Sequence, residues 1–401
     1  MKRFARQGFA LGMTLAFLAV SCPGQTARTG QDLRQTAIVS EQKGDNTAAE
    51  TAWRALLKVH PADAEAYAHL GLLAAREERY TEAVPLYRKA LALNPKLPGV
   101  RLDLGLSEFK SGDLKAAIQT FTPLLKSEPA ASPEALRLTT LIGLAHYGLG
   151  EYAAAVPFMK AATEHDPQNL PFRLVLAHSC LWAKQYQCVL DVYHQILMLN
   201  AESAEADMLA GEAYDEMKND AGATQQFRAA VKADPRLPNV HFGLGYLLWR
   251  LMQYDEAAQQ FKAELANDPE HAQALTYLAD SEIRMNHPEA APPLLEKAIR
   301  IDSSIALAHL DLGIVYDDGG RKVEALRELK TAEKLNPNDV NIHWRLARFY
   351  LAEGKKDEAK VEFDKTRNLQ KAADETIFIK LKKAQDKGKP AENTGDAAPT
   401  N

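Results

Sequence analysis

A spacing of 34 residues runs through this chain almost from end to end. Prolines mark it: Pro61, Pro95, Pro129, Pro167, Pro235, Pro269 and Pro337, with Ala201 and Ser303 in the same slot of two further units. Seven of the eight steps between successive anchors are 34 residues, and the Pro129 to Pro167 step is 38. A fixed period of this length is the signature of a solenoid, whose units each bury their apolar face only against a neighbour. Ten units fill residues 30–371, so only 1–29 and 372–401 lie outside them. Neither stretch is long enough to build an active site, which sets an enzyme aside.

One unit shows the local logic. In Ala64 to Leu97, Tyr67, Leu70, Gly71 and Ala74 share one helical face; after Glu77-Glu78-Arg79 a second helix carries Ala83, Tyr87, Ala90 and Leu91. Both stretches follow the 3.6-residue period, and Asn94-Pro95 stops the second. With Ala64 as position 1, position 8 of the ten units is Ala37, Gly71, Gly105, Gly143, Ala177, Gly211, Gly245, Ala279, Gly313 and Ala347. Position 20 is alanine in nine of ten, from Ala49 to Ala359, with Val189 the exception. Small residues at both places predict that the paired helices cross where positions 8 and 20 meet. This pattern resembles the tetratricopeptide repeat, which implies an all-α fold: an α-solenoid, a right-handed superhelix of about ten tetratricopeptide helical hairpins.

Departures from the pattern carry expectations of their own. Repeat 1 keeps Ala37 and Ala49 but otherwise matches poorly, as a terminal unit does. Ser132-Pro133-Glu134 reads as an N-cap followed by proline at the first helical position, so repeat 4 gains about one turn. Pro85, Pro157 and Pro293 share a slot inside second helices, where kinks are expected. Repeat 10 has Lys371 in the proline slot, and residues 372–387 read as a capping helix with a stripe of Ile377, Leu381 and Ala384. Residues 388–401, rich in Gly, Pro, Asn and Ala, read as a disordered tail.

The first 21 residues read as a signal peptide, followed by a linker over 22–29. Lys2, Arg3 and Arg6 precede an apolar stretch from Gly8 to Val20 that is too short to span a bilayer. Leu18-Ala19-Val20-Ser21-Cys22 resembles the lipobox of bacterial lipoproteins, which implies acylation of Cys22, although Ala19 stands where leucine is usual. Ordinary cleavage after Ala19-x-Ser21 is the alternative, and either route takes the mature chain out of the cytoplasm. Cys180 and Cys188 then sit in a compartment that permits disulfides. The simpler reading is two reduced cysteines, one buried and one partly exposed.

With a net charge of −5, no basic field calls for nucleic acid. Lys380, Lys382, Lys383, Lys387 and Lys389 are diluted by Asp374, Glu375 and Asp386, as in a solvated tail. No HExxH, paired CxxC or P-loop occurs, and Asp317-Asp318-Gly319-Gly320 reads as a solvated turn, so no metal or cofactor is expected. His241, His309 and His343 recur because they share position 4, the aromatic slot. The resemblance places a binding surface on the concave side, at positions 2, 5, 9, 12 and 13 of the first helices. Those slots hold Leu102, Leu106, Phe109, Leu144, Tyr147, His178, Trp182, Met208, Phe242, Tyr246 and Trp249. Leu174, Leu181, and the acidic Glu212 and Asp215 fall in the same slots. Position 9 is the most telling, because Leu72, Leu106, Leu144, Tyr246 and Ile314 replace a usual asparagine. Such a groove suits a peptide or an amphipathic helix, whereas sideways packing onto the next repeat is the competing role for positions 5 and 12. A chaperone-type carboxylate clamp does not fit, since Ala68 and Leu72 stand at its first Lys and Asn.

The expected function is therefore an exported scaffold that binds envelope proteins or peptides. Resemblance to bacterial repeat lipoproteins implies roles in pilus, outer-membrane or polysaccharide-export assembly. Intramolecular or homo-oligomeric contacts are further uses of such arrays. The alternative is a glycan- or peptidoglycan-binding adaptor that stacks sugars on Trp182, Trp249 and Trp344.

Overall fold

The computed structural model describes residues 23–129, 132–199 and 202–387, with side chains described between Thr29 and Thr376. The expected signal segment 1–21, Cys22, Ala201 and the tail 388–401 lie outside the described residues, as do the side chains of Ile377, Leu381 and Ala384. The described residues are helices and turns, divided into two compact units between Ala183 and Lys184.

The first unit holds α1 (Pro23–Gln42), α2 (Asn46–Val59), α3 (Ala64–Arg76), α4 (Tyr80–Leu93), α5 (Val100–Lys110), α6 (Leu114–Ser127), α7 (Pro133–Gly148), α8 (Tyr152–His165) and α9 (Leu170–Trp182). The second holds α10 (Tyr186–Met198), α11 (Ala204–Glu216), α12 (Asp220–Ala233), α13 (Val240–Arg250), α14 (Tyr254–Asn267), α15 (Ala272–Arg284), α16 (Ala291–Ile301), α17 (Ala306–Asp318), α18 (Lys322–Leu335), α19 (Val340–Ala352) and α20 (Lys356–Lys387). Inside each unit, every helix packs against the next one in the chain. Together these are the helical hairpins that the 34-residue period predicts.

The crossing inside each hairpin depends on two slots. All ten position-20 residues are buried, nine of them with no exposure at all. A Cβ placed on Gly71 would come within 2.8 Å of the Tyr87 ring, one on Gly211 within 3.0 Å of Phe227, and one on Gly245 within 2.8 Å of Phe261. These partners are position 24 of the same hairpin. The small residue at position 8 therefore seats a large position-24 side chain. Repeat 1 keeps this arrangement: Ala37 and Trp53 are both fully buried.

The turn within each hairpin has its own rule. Position 15 takes a positive φ in all ten repeats: glycine at Gly44, Gly112, Gly150, Gly320 and Gly354, and Glu78, Lys184, Lys218, Met252 and Asn286 in the others. The residue ends the first helix in a left-handed cap. For Glu, Lys and Met this conformation is strained.

Several sequence expectations resolve here. Ser132 Oγ accepts from the Ala135 N–H, with Pro133 opening α7, which runs 16 residues against 13 in α3. Residues 23–29 belong to α1 and not to a linker. Residues 372–387 continue α20 without a break, because Lys371 keeps the N–H that proline would remove. Pro85 and Pro157 lie inside α4 and α8, which run unbroken through them. At Pro293 the helix opens late, after a single 3-10 turn over Pro288–Ala290. Pro123, inside α6, is a further interior proline outside the shared slot. Cys180 and Cys188, on either side of the turn between α9 and α10, are both disulfide-bonded and not reduced.

Two stability measurements test this account. Gly211→Leu drives a side chain into the Phe227 ring and is expected to cost about 1–3 kcal/mol in denaturant unfolding; an unchanged midpoint would remove position 8 from the crossing. Met252→Gly relieves a left-handed methionine whose side chain is 73% exposed, so little packing is lost. It is expected to raise stability by about 0.5–1 kcal/mol, and a lower Tm would contradict the strain argument.

Candidate partner-binding face

The first helix of each hairpin divides its residues between packing and surface. On α13, Leu244, Leu247 and Leu248 are buried, whereas Phe242, Tyr246 and Trp249 are half-buried. The 3.6-residue period makes this split: the leucines point at neighbouring helices, and the aromatics lie on the other side of the cylinder. Tyr246 stacks between Phe242 and Trp249, with ring centroids 6.2 and 5.9 Å away. Tyr277, from α15, meets Tyr246 edge-on at 5.3 Å and Trp249 at 4.9 Å. It occupies position 6, outside the slots used to read the groove, and was missed for that reason. Burial, with Tyr246 nearby, pushes the Tyr277 phenol up to about 12. Phe242 also touches Phe261 at 6.0 Å, so part of its ring serves the core.

The other candidates are distributed unevenly. Leu102, Leu106 and Phe109 are half-buried and pack against Ala117, Phe121, Leu138 and Ile142, which is the sideways role. Leu144 is half-buried on α7. Tyr147 meets Tyr152 edge-on at 5.8 Å and His178 at 6.3 Å. Tyr152 in turn stacks on Trp182, centroids 6.0 Å apart, and Trp182 is 62% exposed. A shallow cleft of about 450 Å³ lies beside that indole, lined by Glu151, Tyr152 and small residues of α8. Leu181, in a neighbouring slot, is buried. Met208 packs onto Ala204, Ala230 and Val240. The first unit thus offers one exposed aromatic edge at its hairpin turns, and the second offers a continuous aromatic patch on α13 and α15.

Charges border that patch. Asp215 accepts from Arg250, which also donates to Asp220 at 2.8 Å. Glu212 is shifted up by burial and by the adjacent Asp215 and Glu216. Trp249 Nε1 donates to Asp280, a buried carboxylate that also accepts from Arg284 Nε at 2.7 Å. The Arg284 guanidinium lies 5.8 Å over the Trp249 ring. Behind Asp280 sits Asp311, 5% exposed, whose Oδ2 has no hydrogen-bond partner.

Histidines at position 4 are polar links and not fillers of an aromatic slot. His309 places Nδ1 2.7 Å from Glu328 and Nε2 3.2 Å from the Ser303 carbonyl. His343 places Nδ1 2.6 Å from Glu362 and Nε2 2.8 Å from the Pro337 carbonyl. Arg173, also at position 4, donates to the Pro167 carbonyl at 2.8 Å. Each side chain ties its repeat to the turn that closes the preceding one. The sequence signal was available: Gln260, Glu328 and Glu362 each stand 19 residues after a position-4 histidine. Glu264 is a parallel case. This buried carboxylate replaces the alanine of position 27 and accepts from the N–H groups of Asn239, His241 and Phe242, capping α13.

Glu333, His343 and Glu362 bring ligand atoms within 4.8 Å of one another. Lys365 donates to Glu333 at 2.8 Å and to Glu362 at 3.1 Å, and Lys330 to Glu333 at 2.8 Å. With two ammonium groups among the carboxylates, the cluster is an ion-pair network joining α18, α19 and α20. No described helix is long and apolar enough to cross a membrane.

Asp311 yields a pH prediction. Burial, then the neighbouring Asp280, raises its pKa well above the usual carboxylate range, against the opposing pull of Arg284 and Arg345. Above about pH 4 the folded chain therefore holds a proton that the unfolded chain has released, and stability falls as pH rises through that window. Asp311→Asn removes this dependence. The variant is expected to match wild type near pH 4 and to be more stable than it near pH 7; parallel Tm curves would refute the assignment.

Comparisons with known proteins agree with this architecture. Tetratricopeptide repeat family models match residues 37–98 and 242–306, 74–142 and 318–374, and 137–169. Among curated proteins, BBSome complex member BBS4 of Bos taurus is 23% identical over 331 residues, covering 82% of this chain and 61% of that protein. Protein CTR9 homolog of Arabidopsis thaliana is 24% identical, covering 75% of this chain and 28% of its own length. The chain therefore spans under two thirds of either relative. Solved structures that match part of the chain include YrrB, described as a TPR protein with an unusual peptide-binding site: 18% identity, 48% of this chain, 97% of that one, TM-score 0.38. MamA is another, at 22% identity, 41% and 96% coverage and TM-score 0.36. The matched stretches together cover more than half of the sequence, and the chain belongs to the tetratricopeptide repeat family.

Proposed function

We propose that this protein is a non-catalytic interaction scaffold that holds a peptide or an amphipathic helix on the first-helix face of its second unit. The observation that carries this reading is the patch of Phe242, Tyr246, Trp249 and Tyr277. These rings keep part of their surface accessible, although the same helices have already buried an apolar stripe and Phe242, Trp249 and Tyr277 also touch the core. Aromatics with polar groups at their border, here Asp280 and Arg284, are the composition of interface hot spots. The N-terminal sequence supports a place outside the cytoplasm, in the bacterial envelope, with Cys22 as the lipid-bearing tether. Partners in this reading are envelope proteins.

A second reading, glycan or peptidoglycan binding, draws on Trp182, whose exposed indole beside Glu151 is suited to stacking on a sugar ring. Calorimetry with envelope oligosaccharides decides it: heat that vanishes in Trp182→Ala supports it, and no heat retires it.

The scaffold reading is tested by cross-linking in intact cells and mass spectrometry of captured proteins. Tyr246→Asp is expected to lose a specific partner while keeping the wild-type Tm. Identical captures from the folded variant would reduce the aromatic patch to packing.

A further inference from the structure

The second unit carries another surface feature, two repeats beyond the aromatic patch. α19 buries Ile342, His343, Leu346 and Ala347, and leaves Trp344, Arg345 and Arg348 exposed. The Arg345 and Arg348 guanidinium carbons lie 5.1 and 5.2 Å from the Trp344 ring. Most exposed arginines of the second unit have a carboxylate partner: Arg228 pairs with Glu256, Arg284 with Asp280, and Arg321 with Glu324. Among the described residues, Arg345 and Arg348 form no ion pair. They border a cleft of about 360 Å³ between α17 and α19, whose apolar wall includes Ile314, Leu329 and Leu351. The opposite rim is Asp317, already paired with Lys322, and the exposed Asp318.

We infer that this cleft docks an acidic segment within a partner protein: two carboxylate side chains one helical turn apart, beside an apolar residue. The charge complement is local. Two guanidiniums three residues apart on one helix stand about as far apart as two acidic side chains on a facing helical turn. Arginine is weakly hydrated and binds carboxylates in a fork, so two arginines with no ion-paired carboxylate, one of them already near the buried Asp311, are poised for such a contact. The apolar wall takes the adjoining side chain. Asp318 restricts the acidic residues to the α19 side, which gives the bound segment a direction. The inference deepens the scaffold reading and rests on it, since it names the chemistry of the partner.

The test titrates the full chain by calorimetry with two synthetic amphipathic peptides, both amidated at the C-terminus. One carries two glutamates one turn apart beside a leucine, and in the other both glutamates are lysine. The glutamate peptide is expected to bind at least about tenfold more tightly. Arg345→Glu/Arg348→Glu, with an unchanged Tm, is expected to reverse that preference. No heat with the glutamate peptide, equal affinities for wild type, or an unchanged preference in the double variant would each overturn the inference. So would binding that appears only with a free C-terminus, which would assign the arginines to a terminal carboxylate. Tyr246→Asp separates this idea from the broader one. Binding lost there but kept in the arginine variant leaves the aromatic face and removes the cleft; the converse keeps the cleft and removes the aromatic face.

Discussion

Everything in this molecule depends on one contact repeated within each hairpin: a residue without a bulky side chain at position 8 of the first helix, under a large side chain at position 24 of the second. Gly71 lies under Tyr87 and Gly245 under Phe261 with no room for a Cβ, and Gly211 lies under Phe227, where a Cβ would be tight. Glycine inside a helix costs about 1 kcal/mol relative to alanine. It persists here because the approach lets a full ring bury between the helices. Close crossing also brings position 20 into the interface, where alanine is fully buried. The rest of each hairpin can then vary, and the variation is where individual repeats differ.

That dependence explains why the architecture was legible in the sequence. Positions 8, 20 and 32 each hold small residues or proline at a fixed period, and composition alone marks them. The turn at position 15 was not legible, since a left-handed φ leaves a signature only when glycine supplies it. Glu78, Lys184, Lys218 and Met252 take the same conformation and carry no such mark. The continuity of α20 through Lys371 was visible in principle, because the missing proline is the whole reason the helix does not stop. Where the chain divides into two units has no counterpart in the repeat pattern: Ala183 and Lys184 sit inside repeat 5, away from the one irregular spacing.

The surface was less legible than the fold. Slots 2, 5, 9, 12 and 13 select the outward side of a first helix, yet the same slots contribute to packing between neighbours. Leu106 and Phe109 went to packing because Phe121 and Ile142 lie within reach. Phe242, Trp249 and Tyr277 also touch the core, yet they and Tyr246, stacked between Phe242 and Trp249, keep part of their surface accessible. Which outcome a slot takes depends on its neighbour in the adjacent repeat, and single-repeat reading does not hold that information.

Polar substitutions at apolar slots follow a different logic. A histidine or arginine at position 4, or a glutamate at position 27, is buried and would be costly without partners. Each instead finds a backbone group that the fold leaves over: His309, His343 and Arg173 meet the carbonyl of the preceding closing turn, and Glu264 meets the free N–H groups opening α13. Apolar contacts between repeats are nearly interchangeable, since every hairpin presents the same kind of face. The polar links are not, because each requires a particular pair. The histidine and arginine links tie a repeat to the closing turn before it, Glu264 acts within its own repeat, and none of them adds to the exposed side of the first helices. That side is therefore free to diverge, as α13 and α19 do, one carrying tyrosine and tryptophan and the other tryptophan beside two arginines that form no ion pair.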